Sequence, residues 1–382
     1  MSYTFLQHYW WFLISLLGAL LVFLLFVQGA NTLIFELGKT PDERRLVINS
    51  TGRKWEFTFT TLVTFGGAFF AAFPLFYSTS FGGAYWLWMI ILFSFVIQAV
   101  SYEFQNKLGN FLGARTFQVC LIINGIVGPL LLGGAVATFF DGSNFIVDKA
   151  NVTALSQPVI SHWANASCGL DALFDPWNVV LGLAVLCLAR ILGLLYMRNN
   201  IDEPTLRGRC RSKLLPNTVA FLVFFLAFFV RLLVKDGYAY DVNTGVVSMV
   251  SGKYLANLLT MWPLAVVLLI GAAALLYGIL RTWQKADYTR GIWPAGIGTV
   301  LVVLVLFLIT GWNATAYYPS NADLQSSLTI ANSSSSLFTL KTMFVVSLLI
   351  PFVLAYIAYC WHAMDHKKLT VEEVKDDESE AY

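Results

Sequence analysis

The sequence predicts an all-α integral membrane protein with nine transmembrane helices, a periplasmic N-terminus and a cytoplasmic C-terminus. The first indication is composition: 58% of the 382 residues are hydrophobic and 12% are charged, whereas soluble proteins average about 25% charged residues. The second is the spacing of long apolar segments, and the third is the distribution of Lys and Arg between them. A soluble protein of this composition could not bury its apolar surface, so a soluble fold is excluded.

Nine apolar segments have the length of a membrane span. About 20 predominantly apolar residues cross the hydrocarbon core as an α-helix, and each segment is close to that length. In chain order the predicted spans are 9–30, 57–77, 84–102, 116–140, 178–197, 214–234, 254–280, 291–311 and 342–361.

Basic residues fall almost entirely in every second connection, and this sets the orientation. Most of the 24 Lys and Arg lie in connections 31–56, 103–115, 198–213 and 281–290 and in the tail. The alternate connections contain only Lys149, Lys235, Lys253 and Lys341. Because loops rich in Lys and Arg stay in the cytoplasm, the N-terminus is predicted outside. Connections rich in Lys and Arg alternate with poor ones to the end of the chain. A missed or false span would interrupt this alternation, so it favours nine spans. Topology explains the basic loops, so the net charge of +2 gives no reason to expect nucleic-acid binding.

The chain is predicted to form one transmembrane domain, residues 1–364, followed by an acidic cytoplasmic tail, residues 365–382. No Lys or Arg precedes the first span, so this span does not resemble a cleavable signal peptide. The five cysteines are an odd number without a CxxC pair, which gives no disulfide framework and no cysteine metal site.

Two carboxylates are the strongest candidates for chemistry. Glu56 opens the second span and Glu103 closes the third. Because these spans are antiparallel neighbours, both acids are expected at the cytoplasmic boundary. Acids in or at the edge of the membrane often belong to proton routes. The alternative is that both are simply solvated at the level of the lipid headgroups.

Two arginines lie inside predicted spans. Arg231 lies four residues before Lys235, and we expect its long side chain to reach outward to the membrane surface. Arg190 lies deeper, so we expect it to have a partner or a structural role, with a partner on another subunit left open.

The four histidines avoid the centre of the predicted membrane. His362 and His366 are four residues apart, but two ligands without a third are weak support for a metal, so no metal site is predicted. A haem inside a helix bundle usually needs a buried axial His, Cys or Met, and the sequence shows no paired haem site.

Several short motifs, in order along the chain, resemble one family. They are residues 6–11 (LQHYWW), 43–50 (ERRLVINS) followed by Trp55 and Glu56, 66–74 (GGAFFAAFP), 318–320 (YPS), 327–330 (SLTI), Thr339, Leu340, Pro351, Tyr356 and Tyr359. Each is modest alone, but in this order and over the whole length the chain resembles subunit II of the cytochrome bd quinol oxidases.

The resemblance implies a haem-free subunit II that pairs with a subunit I carrying haem b and haem d. The complex oxidises quinol and reduces oxygen to water in the bacterial cytoplasmic (inner) membrane. Acids at the positions of Glu56 and Glu103 are linked in the family to a cytoplasmic proton path. A structural quinone, small accessory subunits, the quinol used and the route of oxygen are left open.

This sequence departs from the family near the end of the first helix. Many members have two acids where this chain has Gln28 and Asn31. Amides can hydrogen-bond water but cannot titrate, so these two are secondary candidates for the proton path. A tryptophan associated in some members with oxygen access is Thr61 here, so the same oxygen route is not assumed.

Two other functions stay open at this point. A secondary transporter or channel would show broken helices and polar residues at mid-membrane, whereas the spans here are mostly Leu, Phe, Val, Ala and Gly. A purely structural scaffold subunit would tolerate replacement of both Glu56 and Glu103 without loss of oxygen consumption.

Overall fold

The computed structural model describes residues 1–107, 109–153 and 159–370. This part of the chain is mostly helical. Its helices are α1 (Tyr3–Leu24), α2 (Phe26–Asn31), α3 (Ile34–Leu37), α4 (Pro41–Gly52), α5 (Trp55–Ala72), α6 (Pro74–Phe76), α7 (Tyr85–Phe104), α8 (Ala114–Asp141), α9 (Pro176–Asn200), α10 (Pro204–Val234), α11 (Lys253–Thr260), α12 (Trp262–Gln284), α13 (Ile292–Gly311), α14 (Ile330–Ser333), α15 (Leu337–Ser347) and α16 (Ile350–Asp365).

The predicted multi-pass helical membrane fold is confirmed in its main features. Among the described residues, seven helical segments are long and apolar enough to cross a membrane: α1 with α2, α7, α8, α9, α10, α12 and α13. Two further segments are bent, Pro41–Ala72 with Pro74–Gly83 by 118° and Leu337–Ser347 with Ile350–Asp365 by 41°. Counting each bent pair as one span gives nine. The count of nine and the orientation therefore stay predictions.

The sharper bend has a local cause. Proline lacks a backbone N–H and disfavours helical geometry in the residue before it. Phe73 precedes Pro74 and has left the helical region, with φ −133° and ψ 66°. A π-helical turn, Tyr77–Gly83, follows and leads into α7. The second and third predicted spans are therefore joined by a tight helical connection.

The basic connections meet at one end of the bundle, which we call the basic end. Arg209 donates to Glu43 over 2.8 Å, joining connection 198–213 to 31–56. Arg198 donates to the Ala286 carbonyl over 2.7 Å, joining the same connection to 281–290. The backbone of Leu369, after α16, pairs with that of residues 200 and 202. The alternation found in the sequence thus corresponds to a packed layer at one end.

The other connections meet at the opposite end, which we call the outer end. The Tyr3 hydroxyl donates to the Ser335 carbonyl over 2.7 Å, so the N-terminus lies there. Lys149 donates to the Asn332 carbonyl over 2.8 Å and joins two of the outer connections. Two short antiparallel hairpins, which the all-α prediction did not include, also lie in these connections: β1 (Phe145–Val147) with β2 (Ser161–Trp163), and β3 (Gly237–Tyr240) with β4 (Val247–Val250).

The most buried helices, α1, α2, α8, α9 and α13, form the centre of the bundle, whereas α10 and α12 present aliphatic faces outward. Glycines allow the close approaches at the centre. A Cβ at Gly29 would lie 1.9 Å from the Ala189 carbonyl oxygen, and one at Gly133 would lie 2.7 Å from the Cα of Gly182. Without side chains at these positions, α2 and α8 pack directly against the backbone of α9.

The end of the chain is partly packed against the bundle. Asp365 is the last residue of α16, and Leu369 is 1% exposed against the basic end. The acidic part of the predicted tail, from residue 371 onward, lies outside the described residues.

Candidate functional site

The two predicted acids lie on the outer surface of two neighbouring helices. Glu56 is in the first turn of α5 and Glu103 in the last turn of α7, and both side chains are exposed in this chain. The residue before each acid points inward, and these two residues, Trp55 and Tyr102, stack with ring centroids 6.2 Å apart. This stacked pair lies on the inward side of the two helices, beneath the acids. Within the described residues neither carboxylate has a salt bridge.

The outward face of α5 continues from Glu56 as a polar stripe. Thr60 and Thr64 follow at helical spacing and are exposed. Their hydroxyls donate to the backbone carbonyls of Glu56 and Thr60, over 2.6 and 2.7 Å. Polar groups are unfavourable on a lipid-facing helix. This face is therefore better suited to another protein surface or to water than to lipid tails.

Gln28 and Asn31 lie behind the stacked pair in a buried cluster of polar side chains, and both are 0% exposed. Gln28 donates to the side-chain oxygen of Gln98 over 3.0 Å. The Tyr102 hydroxyl donates to the Asn31 side-chain oxygen over 2.7 Å. Thr51, at the end of α4, lies 3.3 Å from the same hydroxyl. The cluster thus reaches from the basic end into the interior of the bundle.

A fourth contact extends the cluster. Asn124 of α8 donates to Ser94 of α7 over 3.4 Å. Ser94, Gln98 and Tyr102 are spaced four residues apart, so they form one buried stripe about 12 Å long on α7. We call the set Gln28, Asn31, Ser94, Gln98, Tyr102 and Asn124 the amide network. Its amides retain atoms without a protein partner among the described residues: Gln28 Oε1, Asn31 Nδ2, Gln98 Nε2 and Asn124 Oδ1. Buried polar atoms are usually paired with protein or ordered water, so the network can bind water.

The structure brings the predicted residues together in two groups rather than one. Gln28 and Asn31 of α2 share the amide network, whereas Glu56 and Glu103 lie on the outer face of α5 and α7. Gln98, Ser94, Tyr102 and Asn124 were not singled out from the sequence. For Ser94, Gln98 and Tyr102 the signal was the four-residue spacing of polar residues in an otherwise apolar span.

Arg190 has its partners within the same chain. Its guanidinium donates to Glu36 over 2.7 Å, to Asn217 over 2.7 Å and to Thr32 over 2.9 Å. Lys213 also lies 3.2 Å from the Glu36 carboxylate. Burial acts to raise the pKa of Glu36, but Arg190 and then Lys213 outweigh it and hold that pKa below its usual value. These contacts satisfy the Arg190 side chain within this chain, so a partner on another subunit is not needed to explain its position.

That Arg231 reaches outward to the membrane surface stays a prediction, and the structure gives this residue a partner near the outer end of the same chain. Arg231 forms a 2.7 Å ion pair with Asp141 and lies over the Trp177 ring, 4.6 Å from its centroid. Lys235 contacts the same carboxylate over 2.6 Å. No local pattern in the sequence indicates this triad, because Asp141 closes a different span.

Another charged pair joins two elements that are far apart in sequence. Lys54 is fully buried and lies 3.1 Å from Asp365, whose carboxylate also accepts from Tyr196 and Asn200. The Lys54 ammonium also lies 5.0 Å from the centroid of the Trp361 ring. This cluster fixes the end of α16 against the start of α5.

The histidines lie at the ends of the bundle. His8 packs edge-on against Trp312 near the outer end, and His162 lies in β2. His362 and His366 are exposed near the basic end, with ring centroids 6.0 Å apart. Among residues 1–107, 109–153 and 159–370, no three His, Cys, Asp or Glu side chains are grouped to hold a metal ion.

Comparison with known proteins points to one family along nearly the whole chain. Residues 6–364 match the family model described as cytochrome bd terminal oxidase subunit II. The chain is 26% identical to cytochrome bd-I ubiquinol oxidase subunit 2 of Escherichia coli, with 100% of both chains covered. It is 25% identical to cytochrome bd ubiquinol oxidase subunit 2 of Bacillus subtilis, with 91% of this chain and 93% of the relative covered.

A solved structure has the same fold. A chain of the bd oxidase from Geobacillus thermodenitrificans superposes with a TM-score of 0.61, covering 94% of this chain and 97% of that one at 11% sequence identity. The helical bundle, the polar site at its basic end and the match over nearly the full length lead to one conclusion. The chain belongs to the cytochrome bd terminal oxidase subunit II family.

Proposed function

We propose that this chain is the haem-free subunit II of a cytochrome bd-type quinol oxidase in a bacterial inner membrane. It would support quinol oxidation and the reduction of oxygen to water in a haem-bearing subunit I. Haem b and haem d, when bound in that partner, would supply the electron transfer and oxygen chemistry. The positions of the histidines at the ends of the bundle support a chain that does not itself hold a haem.

The proposed contribution of this subunit is a proton path. The observation that carries it is the exposure of Glu56 and Glu103 on one surface beside the polar stripe of Thr60 and Thr64. A carboxylate at the basic end can take a proton from the aqueous side. From there the path would follow the outer face of α5 and α7, which we propose contacts subunit I.

The amide network is proposed as a second, non-titrating branch of this path. Gln28 and Asn31 cannot exchange protons at neutral pH, but their amides can orient hydrogen-bonded water. Tyr102 links the two branches, since it precedes Glu103 and donates to Asn31. In this chain the titratable role would fall on the two glutamates alone.

The test is oxygen consumption by the purified complex carrying Glu56→Gln or Glu103→Gln. We expect one or both to slow turnover about tenfold or more, because a lost proton-transfer group typically costs at least this much. Haem absorbance should stay normal, since neither residue is proposed to touch a haem. Asp287→Asn is a matched control, because Asp287 is exposed at the basic end but outside this surface.

Normal turnover in both glutamate variants would remove the proton path and leave a structural scaffold. Isolation of the chain as a single colourless polypeptide from its native membrane would contradict the oxidase assignment itself. A transporter is less well supported, because the sharp bend at Phe73–Pro74 lies near the outer end, where Ser335 donates to the Ala72 carbonyl over 2.8 Å. Transporter sites lie instead at broken helices near mid-membrane.

A further inference from the structure

A groove of about 570 Å³ opens on the surface of the bundle at the basic end. It lies between α16, the start of α13 and the ends of α1 and α9. Its floor is aromatic: the Trp361 ring lies with its centroid 6.3 Å from those of both Phe23 and Trp293. Neither the amide network nor the two glutamates take part in it.

The rim of this groove carries polar groups that donate hydrogen bonds. Arg290 is exposed, and among the described residues its guanidinium has no ion pair or hydrogen-bond partner. The Asn199 side chain also has no protein partner there, and the Trp361 indole N–H is buried and unpaired. His362 completes the rim. These groups suit an anion with several acceptor oxygens.

The one acid at the groove does not cancel this charge. Asp365 forms an ion pair with Lys54 over 3.1 Å and accepts from Asn200 over 3.0 Å and from Tyr196 over 3.1 Å. Its negative charge is therefore already compensated within the chain. The guanidinium of Arg290 remains as a net positive charge at the rim.

Away from the rim the groove is apolar. Leu354, Ile357 and Ala358 of α16 line it, and no residue of α16 is buried within this chain. The twelve residues from Leu354 to Asp365 cover about 16 Å along a helix, from the apolar part of the groove to its polar rim. This is close to half of the roughly 30 Å hydrocarbon core, the depth of one leaflet.

We infer that this groove binds an anionic phospholipid, with its phosphate at Arg290 and an acyl chain along Leu354 and Ala358. A cation at headgroup depth, with an apolar wall that ends about one leaflet deeper, has the charge and the shape of such a lipid. Basic pockets between transmembrane helices bind anionic headgroups in this way. A quinone has a neutral headgroup, which does not need the positive charge of Arg290. A helix of a partner protein in this groove would have to carry an acid to pair with Arg290. The inference does not depend on the proton path.

The experiment measures phosphatidylglycerol retained by the purified complex. The complex is reconstituted into nanodiscs that contain phosphatidylcholine and a minority of phosphatidylglycerol. The lipids that stay bound to the complex are then counted by native mass spectrometry. Arg290→Gln should retain about fivefold less phosphatidylglycerol, equivalent to about 1 kcal/mol for one basic residue near the membrane surface. Ala358→Phe, which fills the apolar part of the groove, should also retain less phosphatidylglycerol.

Lys285→Gln is the matched control, because Lys285 is exposed in the same connection and lies outside the groove. It should retain phosphatidylglycerol like the unmodified complex. Equal retention by Arg290→Gln and the unmodified complex would overturn the inference, as would equal retention of the two lipids by the unmodified complex. A photocrosslinker at position 358 that reaches subunit I instead of lipid would also overturn it.

Discussion

Replacing Asp141 with asparagine should destabilise the outer end of the bundle. One carboxylate oxygen of Asp141 accepts from Arg231 over 2.7 Å and from Lys235 over 2.6 Å, and the side chain is 3% exposed. An asparagine oxygen could still accept one of these hydrogen bonds, but it carries no charge. The two cations would then lose the carboxylate that they share.

The size of the loss follows from the exposure of the three side chains. Breaking a buried ion pair costs about 3–5 kcal/mol, because the remaining charge is left uncompensated. Here the side chains of Arg231 and Lys235 are 26% and 15% exposed, so water offsets part of that cost. Lys235 also keeps its hydrogen bond to the Phe140 carbonyl over 2.7 Å. We therefore expect a loss of about 3 kcal/mol.

The assay is the free energy of unfolding of the purified complex in mixed micelles, from a reversible denaturant titration. Trp177, which packs under the Arg231 guanidinium, gives a local fluorescence signal. Asp236→Asn is the matched control, since Asp236 is exposed at the same end of the bundle. The double variant Asp141→Asn with Lys235→Met should regain part of the lost stability. A loss below about 1 kcal/mol, or one equal to the control, would refute the proposed role of the triad.

Three further changes test other parts of the structure. Gln98→Leu should cost about 1–3 kcal/mol of unfolding free energy, because it leaves the buried amide of Gln28 without its partner. Glu36→Gln should cost about 1 kcal/mol, a value reduced by the exposure of the Glu36–Arg190 pair. Asp171→Asn should lower the thermal midpoint at neutral pH, because the folded state stabilises the charged carboxylate. Burial acts to raise the pKa of Asp171, but hydrogen bonds from Ser167, Asn144, Asn165 and Trp163 outweigh burial and lower that pKa. A depressed pKa stabilises the fold above the unfolded value of about 3.9, and this is lost as the pH falls through the folded value.

Each of these changes has its own control and contradicting result. Val100→Leu, on the exposed side of the same helix, should leave stability unchanged where Gln98→Leu lowers it; equal effects would count against the amide network. For Glu36→Gln, an unchanged unfolding free energy would mean that water replaces the carboxylate. For Asp171→Asn, a difference from the unmodified protein that persists below the folded pKa would show a cause other than the charge.

The sequence predicted the membrane fold well because its signals are local. Apolar length and the alternation of basic loops can be read without knowing which helices touch, and the basic connections do meet at one end. The amide network was only partly predictable: Gln28 and Asn31 were found from a family resemblance, whereas the spacing of Ser94, Gln98 and Tyr102 was present in the sequence but not used.

Charge pairing was the least predictable feature. Arg231 pairs with Asp141, and Lys54 pairs with Asp365 more than 300 residues away in the chain. No periodicity links such residues, since their proximity depends on how whole helices pack. The same holds for Arg190, whose partner Glu36 lies in a short helix after the first span.

The polar stripe on α5 has a consequence for the life of this subunit before assembly. A newly made chain without subunit I would leave Glu56 uncovered at the membrane boundary and the polar stripe of Thr60 and Thr64 facing lipid instead of a partner surface. Such an orphan chain displays a feature by which membrane quality-control proteases could recognise it. Its half-life should then depend on synthesis of the partner, so that the two subunits accumulate in equal amounts without matched rates of translation.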